Sequence, residues 1–169
     1  MNVKLCLISS GVLAMAALVN PASTQGQVDR EDSIRAVRMV LDRQVADWNK
    51  GDLDGFLSGY WNSPNVVFQS GGQRHVGWSA MRERYRSRYQ ALGKAMGQLE
   101  FSRLEIETLG PDSMLARGDW RLTMPDGTKP GGLFTLILRR FPDGWKIVHD
   151  HTSSEEAGPK RPSNAATRE

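Results

Sequence analysis

Two of the chain's three histidines and an aspartate fall within nine residues, Trp145-Lys146-Ile147-Val148-His149-Asp150-His151-Thr152-Ser153. Asp150 in apolar surroundings would be a general base, with Arg121 or a histidine stabilising negative charge as it develops on a substrate. His149 and His151 with His75 make three imidazoles, a ligand set that suits zinc, copper or iron. Two histidines two apart on a strand are more often hydrogen-bonded core or interface groups, so no metal and no other cofactor is expected. Ser153 near His151 has the types of a nucleophile and its base, but neighbours on one strand face project in parallel and rarely converge. Tyr60, Trp61, Tyr85 and Tyr89, with Trp48 and Trp78, have the bulk to line a pocket for a flat apolar ligand, or simply to fill a core.

These residues need elements to hold them. On the last strand, period-two alternation sets Ile147, His149, His151 and Ser153 on one face and Val148, Asp150 and Thr152 on the other. On the strand predicted over 114–124, Met114, Ala116, Gly118, Trp120 and Leu122 share one side, and Leu115, Arg117, Asp119, Arg121 and Thr123 the other. Before them, Ile34, Val37, Leu41, Val45 and Trp48 draw a helical stripe that Gly51 closes. Asp52 caps a second, weak helix carrying Leu53, Phe56, Leu57 and Tyr60. A short hairpin is predicted at 66–76, then a third helix from Ser79 with Met81, Tyr85, Tyr89 and Leu92 inward. The shift of apolar parity between Leu99, Phe101 and Leu104, Ile106 predicts a bulge, and Pro142-Asp143-Gly144 predicts the turn into the last strand. Residues 25–30 read as loose.

Composition narrows the chemistry. Of 169 residues, 39% are hydrophobic and 24% charged, which fits one globular domain. Lys4, the apolar run Leu5–Val19 and the small residues around Pro21 read as a signal peptide over 1–22, cleaved between 22 and 26. The expected location is periplasmic or secreted, with no membrane contact after cleavage. Cleavage would remove Cys6, the only cysteine, and with it thiol chemistry. The net charge of +3 is spread among acids. The one basic stretch, Arg82-Glu83-Arg84-Tyr85-Arg86-Ser87-Arg88-Tyr89, reads as a solvated helix face, and no nucleic-acid partner is expected. Residues 154–169 are polar and aperiodic and are expected to be disordered.

The order helix, helix, hairpin, helix, long antiparallel strands is an α+β plan. Trp48-Asn49-Lys50-Gly51-Asp52-Leu53-Asp54, then Gly118-Asp119-Trp120, then Arg139-Arg140 through Gly144–Ser153 resemble, in order and spacing over about residues 30–153, the nuclear transport factor two-like superfamily. That superfamily is also called ketosteroid-isomerase-like or SnoaL-like, and the likeness is greatest to its secreted members of unassigned function. The resemblance implies a cone of three N-terminal helices packed on a curved, mainly antiparallel sheet around an apolar cavity, with the outer sheet face pairing two subunits. Steroid isomerases of this superfamily use a carboxylate on the first strand and a phenol on the first helix. Gln69 and Gln44 stand there instead, and an amide does not take up a proton near neutral pH.

The last strand is also similar to that of the association domain of calcium/calmodulin-dependent kinases. Aligned that way, Thr152 and Arg121 fall on basic pocket positions, so Asp150, Thr152, Asp119 and Arg121 face the cavity while His149, His151 and Trp120 face outward. The opposite assignment puts His149 and His151 inside with Trp120. The expectation is an exported, homodimeric small-molecule-binding module. Asp150 and Arg121 would be its central polar residues, with Asp119, Thr152, Tyr60, Trp61, Tyr85, Tyr89, His149 and His151 around the ligand. The alternative is a cofactor-independent isomerase, dehydratase or cyclase using Asp150 as base.

Overall fold

The computed structural model describes residues 21–90 and 95–155. The signal segment lies almost wholly outside these residues, as does most of the expected tail. Helix α1 (Pro21–Asn49) begins before the sequence suggests and takes in residues 25–30. No proline or glycine after Gly26 interrupts it. Gly51, at φ 79°, ends it in the left-handed conformation that glycine adopts without steric cost. Asp52 accepts the Gly55 amide at 2.8 Å and starts α2 (Leu53–Leu57).

The chain then forms the hairpin β1 (Val67–Ser70) and β2 (Gln73–Val76), the helix α3 (Trp78–Tyr89), and four long strands: β3 (Gln98–Gly110), β4 (Ser113–Thr123), β5 (Gly131–Phe141) and β6 (Gly144–Thr152). They make one sheet of order β2-β1-β6-β5-β4-β3, antiparallel except where β1 joins β6. The helices cover one face. Val37, Leu41, Gln44 and Trp48 of α1 are buried against the sheet together with Phe56, Leu57, Met81, Met114, Ala116, Leu136, Leu138 and Ile147. Gln44 holds the central position of the α1 stripe; Val45 is only partly buried.

Two bulges decide which side chains point inward. In β3 the pairing jumps from Ser102↔Asp119 to Glu105↔Arg117, and Arg103 sits at φ 48°. This is the irregularity that the parity shift of Leu99 and Leu104 predicts. In β6 the pairing jumps from His149↔Ile137 to Ile147↔Leu138, leaving Val148 without a partner. Strict alternation sets Ile147 with His149, and the bulge overturns it. Ile147 is fully buried on the helix side together with Asp150, while His149 points to the other face.

Candidate functional site

Beneath the helices lies a cavity of about 90 Å³ that opens to solvent. Rings make most of its wall. Trp48 meets Phe56 edge-on at 4.9 Å and Tyr89 at 4.8 Å, and Tyr85 packs 5.4 Å from both Phe56 and Phe68. Leu99, Leu122, Phe134 and Trp120 close the sheet side.

At the inner end stands Asp150, 3% exposed. Tyr60 donates its hydroxyl to Oδ2 and Thr152 donates to Oδ1, each at 2.7 Å. The fold brings Tyr60 there because the segment after α2 runs beside β6. Trp61 donates its amide to Ile147, and Ile147 donates to Gly59, both at 2.9 Å. Gly59 leaves room at that crossing for Gln44, since a Cβ there would stand 2.8 Å from Gln44 Nε2 and displace that side chain. Gln44 is buried beside it and donates to the Phe56 carbonyl at 3.0 Å.

Burial is the chief reason that the Asp150 carboxyl is raised to about 6, with the two hydroxyl donors and His151 pulling the other way. Desolvation, then the nearby Asp150 carboxylate, lifts the Tyr60 and Tyr85 phenols well above their ordinary range, so both keep their protons. Their hydroxyl oxygens are 3.5 Å apart. The result is a carboxyl able to exchange a proton near neutral pH, flanked by hydroxyls and enclosed by rings.

Of the residues the sequence nominates, Asp150, Thr152, Tyr60, Tyr85 and Tyr89 line this cavity. Arg121 and Asp119 do not, and this corrects the expected carboxylate–guanidinium floor. Arg121 lies on the outer face, bound to Glu155 at 3.0 Å, and Asp119 pairs there with Arg103. The reason is the ladder. Residues directly opposite in paired strands share a face, and Thr152 opposes Phe134, which opposes Gly118. Thr152 therefore shares its face with Gly118, Trp120 and Leu122, the apolar side of β4, and Arg121 must point away.

His149 and His151 also belong to the outer face, in register with Val67 and Gln69, while His75 opposes Phe68 on the inner one. The three histidines thus cannot meet, and no group of three metal-ligating side chains occurs among the described residues. Burial, then the neighbouring His151, lowers His149 below its ordinary value. Trp61 is outside the cavity too, stacked on Phe141 at 5.4 Å. Trp120, expected outside, is inside, and its indole N–H fixes the end of β6 by donating to the Ser153 carbonyl at 2.9 Å. Arg84 and Arg88, read from the sequence as solvated, line the cavity.

The comparisons with known proteins agree with this architecture. The SnoaL-like domain family matches residues 37–155. The chain belongs to that family. Among solved structures, this SnoaL-like chain is similar to a nuclear transport factor 2-like protein of unknown function from Shewanella oneidensis, with 30% identity, TM-score 0.66, and coverage of 71% of this chain and 98% of that one. A nuclear transport factor 2-like superfamily protein from Salmonella enterica shares the fold at 21% identity and TM-score 0.57, covering 85% and 99%. So does a protein from Xanthomonas campestris that carries the provisional name of calcium/calmodulin dependent protein kinase II association domain, at 16% identity and TM-score 0.58, covering 73% and 88%. No curated protein matches the sequence. Among the described residues no helix is long and apolar enough to cross a membrane.

Proposed function

We propose that this SnoaL-like domain binds a small ring-bearing molecule, with the rings against Trp48, Phe56, Tyr85 and Tyr89 and an oxygen function against Asp150 and Tyr60. The observation that carries this reading is the continuous aromatic wall ending at a buried carboxyl whose hydrogen-bond partners are both hydroxyls. A carboxyl has more acceptor sites than two donors fill, so a ligand hydroxyl can add to the cluster. Trp48 Nε1 is buried without an acceptor, a second polar point on the same wall. The proposal includes export of the mature chain, on the strength of the pattern over residues 1–22, and a homodimer through the outer sheet face.

2-Naphthylmethanol tests the binding reading, because Trp48 and Trp120 on the wall should be quenched as it fills the cavity. Saturable quenching is expected. Leu136→Phe, which adds volume on the strand opposite Asp150, should weaken it at least tenfold while the protein still unfolds cooperatively. Titration without saturation would remove the reading.

A second reading, proton transfer, is favoured by one specific observation: among the described residues no cation pairs with Asp150, and its carboxyl at about 6 suits a general base. In that reading Asp150 takes a proton from a carbon next to a carbonyl and returns it. Exchange of deuterium from D2O into 1-tetralone, faster than in buffer and lost in Asp150→Asn, is the expected sign. Exchange at the buffer rate leaves binding alone.

A further inference from the structure

We infer that the ligand is an anion, an apolar ring compound bearing a carboxylate, whose charged group is held at the cavity mouth by Arg84 and Arg88. The inference rests on the binding reading and names its ligand class.

Three observations carry it. The first is position. Both arginines line the cavity, Arg88 exposed like Ser154 and Arg84 half-buried like Ser70, Tyr85, Tyr89 and Trp120, whereas Asp150, Tyr60, Trp48, Phe56 and Leu136 are buried. The cavity therefore has an inner polar end at Asp150 and a second polar end that is cationic and reaches solvent. A ligand that satisfies both carries an acceptor or donor at its far end and a negative charge at the near one.

The second is the lack of partners. The other cations of α3 face away from the cavity and line a separate polar cleft, where Arg82 forms a paired contact with Asp54, its Nε and one terminal nitrogen reaching the two carboxylate oxygens at 3.0 and 3.1 Å. Among the described residues no carboxylate lies within ion-pair distance of Arg84 or Arg88. Arg84 Nε is buried and has no acceptor at all. A guanidinium N–H shut away from water without an acceptor is unfavourable, and a carboxylate is the acceptor whose geometry fits its planar fork.

The third is orientation. Arg84 and Arg88 are four apart on one helix, so they stand on one face, where like charges repel unless an anion lies between them. Rings hold them in place. The Arg84 guanidinium lies 5.2 Å from the centre of Phe68, and that of Arg88 lies 5.6 Å from the centre of Tyr89, with its Nε donating to the Tyr89 hydroxyl at 3.2 Å. Two stacked guanidinia, fixed before any ligand arrives, lose little freedom on binding one.

The test compares three probes with one apolar body: 2-naphthoate, neutral 2-naphthylmethanol and cationic 2-naphthylmethylamine. The unaltered protein should bind the carboxylate at least tenfold more tightly than the alcohol and the amine most weakly, with the carboxylate's advantage shrinking as salt rises. Arg84→Gln and Arg88→Gln should each erase most of that advantage, lowering the carboxylate's affinity far more than the alcohol's. Arg86→Gln removes the same charge away from the cavity and should change neither; equal loss there would make the effect a general field and overturn the assignment. If the alcohol binds and the carboxylate binds no more tightly, the anion inference falls while the binding reading stands. If none of the three binds, the binding reading falls and takes this inference with it.

Discussion

Asp150 sets the acid–base character of this domain, and its linkage to stability has a definite sign. Its carboxyl ordinarily titrates at 3.8 and is raised to about 6 in the folded protein. Between those values the native state holds more of the proton than the unfolded chain does. Stability is therefore fully present below about pH 4 and is lost as pH rises through 6, by on the order of 3 kcal/mol. Asp150→Asn removes the titration and keeps a side chain that can accept from Tyr60. The expected outcome is a melting temperature close to that of the unaltered protein at pH 4 and higher at pH 7.5, the gap opening between. A constant gap across that range would show that Asp150 does not titrate there. Tyr60→Phe works in the opposite direction, because the phenol favours the charged carboxyl. Denaturant unfolding should show a loss of roughly 1.5 to 3 kcal/mol at pH 8, where the bond is to a charge, and less at pH 5.

At the scale of elements, the two bulges do what the strands alone cannot. In β6 the unpaired Val148 lets both Ile147 and Asp150 face the helices. In β3 the extra residues around Arg103 interrupt the ladder with β4, and Gly118 accommodates the close approach of Ser102 there. A Cβ on Gly118 would stand 2.8 Å from the Ser102 carbonyl oxygen and 3.0 Å from the Phe134 ring. Gly118→Ala should therefore cost about 1 to 3 kcal/mol, as overpacking of a well-filled core does. It should also weaken any ligand that touches Phe134. Unfolding curves that superimpose on those of the unaltered protein would mean that β3 gives way freely at the bulge.

For the whole molecule, the outer sheet face bears on assembly. Val76, Val67, His149, Ile137 and Leu115 lie in register across five neighbouring strands, a mostly apolar row on the face away from the helices. Leu133, 56% exposed, extends that face. If the proposed dimer forms, light scattering at micromolar concentration gives twice the chain mass. Ile137→Lys, next to the centre of the row, should then yield a monomer that melts cooperatively. A monomeric unaltered protein counts against the dimer.

Local chemistry in the sequence was enough to order the elements: Gly51 and Asp52 for the α1–α2 junction, Gly144 at φ 111° for the last turn, and the apolar parity of β4 for its buried side. The same parity already held the answer for Arg121, since Met114, Ala116, Trp120 and Leu122 form the only apolar side of β4. The alignment with kinase association domains pointed the other way. Tertiary structure alone decided how the faces of β4 and β6 correspond, because that depends on strand register and on a bulge at Val148 that leaves no mark in the alternation. It alone joined Tyr60 to Asp150, ninety residues apart, and turned Arg84 and Arg88 to the cavity. Each of these is a contact between elements distant in sequence, and spacing along a chain fixes only what neighbours on one element share.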